Sequence, residues 1–242
     1  MQGLEFELEF EKVYSECHSI PVIIVAAGSS TRMKGTDKQM AELGGIPVIV
    51  RTLRAFENSA YISEITVVTR EDKIADIKKL GERYAVGKLK NIVVGGSCRA
   101  DSVMKGVSIY NEVCDKVLVH DGARPLVTDA VIGRVVKALD EFNSVTCAVK
   151  INDTVKRTDE NGIVTETVNR EGLVSIQTPQ GVSVSLFLEA AEKGDLTLFT
   201  DDTSVMESIG EKTKIVEGDP DNIKITTPED IIKAQGIIRK EW

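Results

Sequence analysis

The chain has 242 residues, of which 42% are hydrophobic and 28% are charged, and its formal net charge is -8. A chain of this length and composition can bury a sizeable core, which excludes an intrinsically disordered protein. The negative charge argues against a general affinity for nucleic acids or anionic membranes, because lysine and arginine supply that affinity by neutralising phosphates.

The first 20 residues include LEFELEFEKV, in which apolar and acidic residues alternate. A signal peptide begins with basic residues, and no apolar run reaches the 18 or more residues of a membrane helix. We therefore expect a cytoplasmic protein in which residues 1–19 form an extension to a single domain, 20–242.

Short runs rich in valine and isoleucine alternate with segments of helical spacing. The runs predict buried strands at 21–27, 64–69, 90–94, 116–120 and 145–149. The segments between them predict helices at 47–57, 72–84, 99–112 and 128–139. This alternation is typical of an α/β fold with a mostly parallel sheet and helices on both faces.

Residues 150–172 interrupt the alternation. Two polar extended segments are joined by DENG, which predicts an inserted β-hairpin arm. The arm has too few apolar residues to bury a face alone, so we expect it to pack against the main domain or a second subunit. Near the end of the chain, Lys224 is predicted to lie in an apolar-alternating strand, followed by a helix with Thr227 as its cap and Pro228 in first position.

The loop after the first strand, AAGSSTRMKGTDKQM, has the composition of an anion site. Ala26, Ala27 and Gly28 allow close approach to the backbone, and Arg32 and Lys38 supply the positive charge that a polyphosphate requires. The spacing fits neither GxGxxG nor the P-loop. The alternative is that both cations are ordinary solvated loop residues.

Two other strand ends are expected to face this loop. In VHDGARP, Asp121 is a candidate ligand for Mg²⁺, directly or through water, or alternatively a turn residue or a partner of Arg124. In VVGGSCRADSV, we expect backbone groups at Gly95 and Gly96 to read a base edge and Ser102 to cap the next helix, unless this is a simple strand-to-helix turn.

Seven ordered motifs, AAGSSTRM with KQ, GGSCRADSV, HDGARP, TVNR, QTPQ, TDD and GDPDNIKITTPED, resemble those of the 4-diphosphocytidyl-2-C-methyl-D-erythritol synthase family over about residues 20–241. The resemblance implies a Rossmann-like nucleotidyltransferase that joins CTP and 2-C-methyl-D-erythritol 4-phosphate and releases pyrophosphate. It also implies Mg²⁺ or another divalent cation as cofactor, and a homodimer formed through the arm.

The resemblance further implies residue roles. The catalytic residues would be Arg32, Lys38, Arg170 and Lys224, with Arg170 serving the neighbouring subunit's site. The CTP-binding residues would be Ala26, Ala27, Gly28, Gly96, Ser102, Asp121 and Arg124. The residues near the second substrate would be Thr154, Thr178 and Thr200.

Some positions depart from the family pattern, chiefly Ser30 for a second glycine, Asp37 for a proline, and a loop one residue shorter before Lys38. Three alternative functions stay open: a ribitol 5-phosphate cytidylyltransferase, another sugar-phosphate nucleotidyltransferase, and a nucleotide-binding regulatory module without turnover.

Overall fold

The computed structural model describes residues 19–28 and 37–239; the expected extension, apart from residue 19, lies outside them. In chain order the elements are β1 (Ile20–Val25), β2 (Glu42–Leu43), β3 (Ile46–Pro47), α1 (Val48–Glu57), β4 (Ile62–Thr69), α2 (Ile74–Arg83), β5 (Leu89–Val94), α3 (Arg99–Ser108), β6 (Lys116–Asp121), α4 (Asp129–Ala138), β7 (Ser144–Lys150), β8 (Val155–Thr158), β9 (Val164–Val168), β10 (Val174–Ser183), α5 (Val184–Lys193), α6 (Asp202–Glu207), β11 (Thr213–Glu217) and α7 (Pro228–Ile238). No helix in these ranges is long and apolar enough to cross a membrane.

Seven strands form the central sheet in the order β11, β7, β10, β6, β1, β4, β5. Only β10 runs antiparallel to its neighbours among these seven strands. The expected mostly parallel α/β sheet is therefore confirmed. In the register of β1 with β6, Val25 lies opposite Asp121, so the carboxyl ends of these two strands are adjacent as expected.

Alternate side chains of β1 pack into cores on opposite faces of the sheet. Val22 and Ile24 belong to one cluster with Leu53 of α1, whereas Ile23 belongs to a second cluster with Val103 of α3. Because successive strand residues point to opposite faces, both faces must be covered for an unbroken apolar strand to be buried. The helices lie on both faces, as the sequence predicted.

The arm is a two-stranded antiparallel hairpin of β8 and β9, as predicted. Its connection is closed by Asp159, whose Oδ1 accepts hydrogen bonds from the N–H groups of Asn161 and Ile163 at 3.0 and 2.8 Å. Ile163 and Val164 are 64% and 54% exposed. Within one chain the arm therefore leaves apolar side chains uncovered.

The predicted strand at Lys224 is wrong. Residues 222–226 are not in a strand, and the Ile225 N–H makes one hydrogen bond, 2.7 Å long, to the Ala123 carbonyl in the loop after β6. The capping box of α7, formed by Thr227 and Asp230, begins immediately afterwards and leaves no length for a ladder. The predicted start of that helix, with Pro228 in its first turn, is confirmed.

Candidate active site

Two adjoining cavities open where β1, β5 and β6 end, at the edge of the sheet where open α/β folds place ligands. The first, of about 360 Å³ and here called the Lys38 cavity, is lined by Val25, Ala27, Gly28, Lys38, Gln39, Gly96, Ser97, Cys98, Arg99, Ser102, Asp121, Ala123 and Lys224. The second, of about 540 Å³ and here called the Thr200 cavity, includes Arg124, Thr178, Thr200, Asp201, Thr203 and Ser204. Arg99, Asp121 and Lys224 line both.

Lys38 lies in a turn that is fixed by its neighbour Asp37. One carboxylate oxygen of Asp37 accepts a 3.0 Å hydrogen bond from the Gln39 N–H, and the other lies 3.4 Å from Arg70 just after β4. A Cβ built on Gly28 would lie 3.9 Å from the Lys38 ammonium, so that group sits against the end of β1. Arg32 belongs to residues 29–36, outside the described residues.

The loop between β5 and α3 is closed by Ser102. The Ser102 hydroxyl accepts from the Gly96 N–H at 2.9 Å and donates to the Cys98 carbonyl at 2.9 Å. The expectation that Ser102 caps α3 is wrong, because Cys98 is the N-cap and its sulfur accepts from the Asp101 N–H. Ser102 lies inside the helix, and it shapes the glycine loop from there.

The loops after β1 and β5 approach each other closely. A Cβ on Gly95 would lie 2.6 Å from the Ala27 Cβ and 3.0 Å from the Ser102 hydroxyl. A larger residue at position 95 would push these two walls of the Lys38 cavity apart.

Asp121 is the negative centre of the shared wall. Its carboxylate lies 2.8 Å from the Lys224 ammonium, 3.4 Å from Arg99 and 3.5 Å from Arg124. Burial by itself raises the pKa of this carboxyl, but the charges of Arg99, Lys224 and Arg124 outweigh burial and hold the pKa well below its usual range. Asp121 is therefore ionised, and its pair with Arg124, which was the alternative interpretation of this residue, forms part of a larger cluster.

Thr178 and His120 support the backbone of Asp121. The Asp121 N–H donates to the Thr178 hydroxyl at 3.1 Å, and His120 Nδ1 lies 3.0 Å from the same oxygen. His120 Nε2 lies 3.1 Å from the Arg124 carbonyl, which can only accept, so the ring proton sits on Nε2 and Nδ1 accepts from Thr178. Full burial lowers the pKa of His120 to about 4, which keeps it neutral at pH 7.

Sequence reasoning missed an ion pair at the junction of the cavities. Arg99, the first residue of α3, donates two hydrogen bonds of 2.7 and 2.9 Å to the carboxylate of Asp202, the first residue of α6. Both residues lie in motifs noted above, RADSV and TDD. The available signal was one charged residue without an assigned role in each motif.

Most of the other expected site residues line one of the two cavities. Ala27, Gly28, Gly96 and Asp121 line the Lys38 cavity, and Arg124, Thr178 and Thr200 line the Thr200 cavity, whereas Ala26 is buried behind them. Thr154 and Arg170 line neither cavity, and both are exposed on the arm. Arg170 donates a hydrogen bond to the Asn152 carbonyl of the same arm.

Known proteins resemble the chain over almost its whole length. A family model described as 2-C-methyl-D-erythritol 4-phosphate cytidylyltransferase matches residues 20–240. A protein of that name from Bacillus cereus is 42% identical over 220 residues, which are 90% of this chain and 96% of the relative. A bifunctional IspD/IspF enzyme from Desulfotalea psychrophila is 41% identical over 221 residues, and the chain spans 57% of that relative's length.

Two solved structures of proteins with related names resemble the chain in fold. The 4-diphosphocytidyl-2C-methyl-D-erythritol synthase from Anaerococcus prevotii has a TM-score of 0.79 at 34% identity, covering 91% of this chain and 96% of its own. The 2-C-methyl-D-erythritol 4-phosphate cytidylyltransferase from Thermus thermophilus has a TM-score of 0.75 at 26% identity, covering 91% and 99%. The chain belongs to the 2-C-methyl-D-erythritol 4-phosphate cytidylyltransferase family.

Proposed function

We propose that the chain transfers a cytidylyl group from CTP to 2-C-methyl-D-erythritol 4-phosphate, giving 4-diphosphocytidyl-2-C-methyl-D-erythritol and pyrophosphate. The observation that carries this proposal is the pair of adjoining cavities with charged groups on their common wall. We assign the nucleotide to the Lys38 cavity and the methylerythritol phosphate to the Thr200 cavity.

Electrostatics is the main task of such a site. Two phosphate-bearing reactants repel each other, so catalysis requires fixed positive groups where charge accumulates on the α-phosphoryl group. Lys38 and Lys224, with Arg99 beside them, line the space assigned to the triphosphate. Arg32 completes this set in our proposal, although it lies outside the described residues.

The reaction needs no protein base. The second pKa of a phosphate monoester is about 6, so the acceptor phosphate is already an anionic nucleophile at pH 7. One of its oxygens forms a bond to the α-phosphorus of CTP as the bond to the β-phosphate oxygen breaks, and the electron pair leaves with pyrophosphate. The protein orients the two groups and stabilises the added charge.

The site residues fit a divalent cation that is held mostly by substrate. Within residues 19–28 and 37–239, no three His, Cys, Asp or Glu side chains are grouped to hold a metal ion. Mg²⁺ commonly uses one or two carboxylates together with substrate phosphates. The ionised Asp121 would hold Mg²⁺ with the CTP phosphates, where the ion would neutralise charge on the reacting phosphoryl group.

The Thr200 cavity is completed by a second copy of the chain in our proposal. The homodimer forms through the arm, and Arg170 and Thr154 reach the acceptor phosphate in the neighbouring subunit. The exposure of both residues, and of the apolar arm residues Ile163 and Val164, supports this arrangement.

The deciding experiment measures pyrophosphate release with CTP and Mg²⁺, comparing methylerythritol phosphate with ribitol 5-phosphate as acceptor. We expect release with the first acceptor at a kcat/KM at least ~10²-fold above that with the second, the range in which binding contacts discriminate similar substrates. Equal activity with both acceptors contradicts the assignment of the acceptor. Release with another nucleoside triphosphate and not with CTP contradicts the assignment of the nucleotide.

A further inference from the structure

Asp202 is a buried carboxylate that lines neither cavity. Only 1% of its surface is exposed, yet its neighbours Asp201, Thr203 and Ser204 line the Thr200 cavity. Its side chain points to Arg99, which lines both cavities. Any effect of Asp202 on substrates must therefore pass through Arg99 or through the backbone of α6.

The first turn of α6 is held at two points. On one side, Gln180 of β10 accepts from the N–H groups of Asp202 and Thr203 at 2.8 and 3.2 Å and donates to the Asp201 carboxylate at 3.0 Å. On the other side, the Asp202 carboxylate receives the two-point hydrogen bond from Arg99. The first contact comes from the central sheet, and the second comes from Arg99 in the wall shared by the two cavities.

Arg99 is placed to respond to a bound polyphosphate. Its two bonds to Asp202 and a third of 3.4 Å to Asp121 use three of the five N–H donors of a guanidinium group. Phosphate oxygens in the Lys38 cavity would attract the same group, since charge-assisted hydrogen bonds to phosphate are strong. Arg99 can donate its remaining N–H groups to a phosphate while it keeps its planar, two-point contact with Asp202.

We propose that Asp202 is a positioning residue which, through Arg99, couples nucleotide binding in the Lys38 cavity to the order of the Thr200 cavity wall. The nucleotide fixes Arg99, Arg99 fixes the first turn of α6, and the second cavity is formed before its substrate arrives. This inference rests on the proposed function for the identity of the ligands. By linkage, the acceptor phosphate strengthens nucleotide binding by the same factor.

Hydrogen exchange measured with CTP alone, before any acceptor is added, tests the coupling. In the wild type, saturating CTP and Mg²⁺ should slow amide exchange across residues 202–207 by about 5-fold or more, the lower end of typical coupling between sites. In Asp202→Asn the same addition should leave exchange in this segment unchanged, although CTP still binds. Glu57→Gln is the matched control, because Glu57 accepts a 2.8 Å bond from the Lys88 N–H and lines neither cavity.

A second variant separates coupling from general damage. Arg99→Met removes the other partner, and the Arg99→Met, Asp202→Asn double variant should lose no more CTP-dependent protection than either single variant. Thermal unfolding identifies a variant that fails to fold, and the remaining single variant then decides the question. CTP-dependent protection that persists in a folded Asp202→Asn or Arg99→Met, or that is absent from the wild type, overturns the proposal.

Steady-state kinetics gives an independent readout. In Asp202→Asn we expect the KM for methylerythritol phosphate to rise about 5-fold or more, with a smaller change in the Kd for CTP measured in the absence of the acceptor. Protection by CTP in a wild type that releases no pyrophosphate with methylerythritol phosphate would support the coupling and contradict the proposed function. Failure of the coupling and failure of the proposed function therefore give different results.

Discussion

A single carboxylate organises the charged residues of this site. Asp121 lies within 3.5 Å of Lys224, Arg99 and Arg124, each from a different segment of the chain. Without a negative centre these three cations would repel one another, and removal of one partner from a buried ion pair is strongly destabilising. Asp121 therefore gathers positive charge at the place where phosphate groups are expected to meet.

In our proposal Lys38 supplies one of the positive charges facing the triphosphate, so Lys38→Ala should lower kcat by about 10²-fold or more, as expected for loss of one transition-state donor. Its ammonium lies against Gly28, just after β1, and Lys224 is the other described lysine that lines the Lys38 cavity. Initial rates of pyrophosphate release measure the effect. Lys193→Ala, which removes an exposed lysine paired with Glu189 on α5, serves as control. Near-normal turnover in Lys38→Ala would contradict the catalytic role of Lys38.

His120 makes the stability of the domain dependent on pH. Burial lowers its pKa from 6.5 to about 4. Between pH 4 and pH 6.5 this histidine is therefore protonated in the unfolded chain and neutral in the folded chain. The contribution of neutral His120 to the free energy of unfolding is fully present above pH 6.5. It declines as the pH falls to 4, by up to roughly 3 kcal/mol. Chemical denaturation of the wild type and of His120→Gln across this range measures the difference. Equal pH slopes would show that His120 is not buried in its neutral form.

Helix α3 packs so closely on the sheet that one of its positions admits only glycine. A Cβ on Gly106 would lie 2.6 Å from Ile23 and 3.0 Å from Val68, whereas a Cβ on Gly236 in α7 meets nothing within 4 Å. Gly106→Ala should cost about 1–3 kcal/mol of unfolding free energy through overpacking. Gly236→Ala, the matched control, should be neutral or gain up to about 1 kcal/mol from helix propensity. Denaturant titration measures both, and similar values for the two variants would contradict the packing argument.

Elements with strong local patterns were predictable, and those that depend on tertiary contacts were not. The five valine- and isoleucine-rich runs all became strands of the sheet. Four of them are largely buried, and β5, at the edge of the sheet, is partly covered on each face through Ile92 and Val93. Strand β10 was not predicted, since its sequence VSIQTPQGVS is polar and contains a proline. It forms because it lies between β6 and β7 and pairs with both.

The same division holds for the site. Lys38, Asp121 and the glycines lie next to strand ends, and strand ends could be located from the sequence, so their convergence was foreseeable. The Arg99 to Asp202 pair joins positions 103 residues apart, and nothing local in either segment names the other. Lys224 was assigned to a strand on alternation alone, but the loop after β6 and the capping box of α7 determine its backbone.

At the scale of the whole molecule, one chain gives more net positive charge to the cavity that we assign to the nucleotide than to the cavity that we assign to the acceptor. The Lys38 cavity is lined by three cations and one carboxylate, that of Asp121, whereas the Thr200 cavity is lined by three cations and three carboxylates, those of Asp121, Asp201 and Glu207. The expected acceptor residues Arg170 and Thr154 lie on an exposed arm and line neither cavity. Ile176 and Ile215, at 37% and 47% exposure, leave an apolar margin on the Thr200 cavity. A second chain that covers this margin with its arm would both exclude water and add the missing cation.

Complementation between two inactive variants tests this dimer. If each site takes Lys38 from one chain and Arg170 from the other, a mixed dimer of Lys38→Ala and Arg170→Ala contains one site with both defects and one intact site. Co-expression with two different affinity tags and sequential purification isolates that mixed dimer. It should release pyrophosphate at about half the wild-type rate per dimer, while both parent dimers stay nearly inactive. If both residues acted within one chain, each site would carry one defect, and the mixed dimer would be as inactive as its parents.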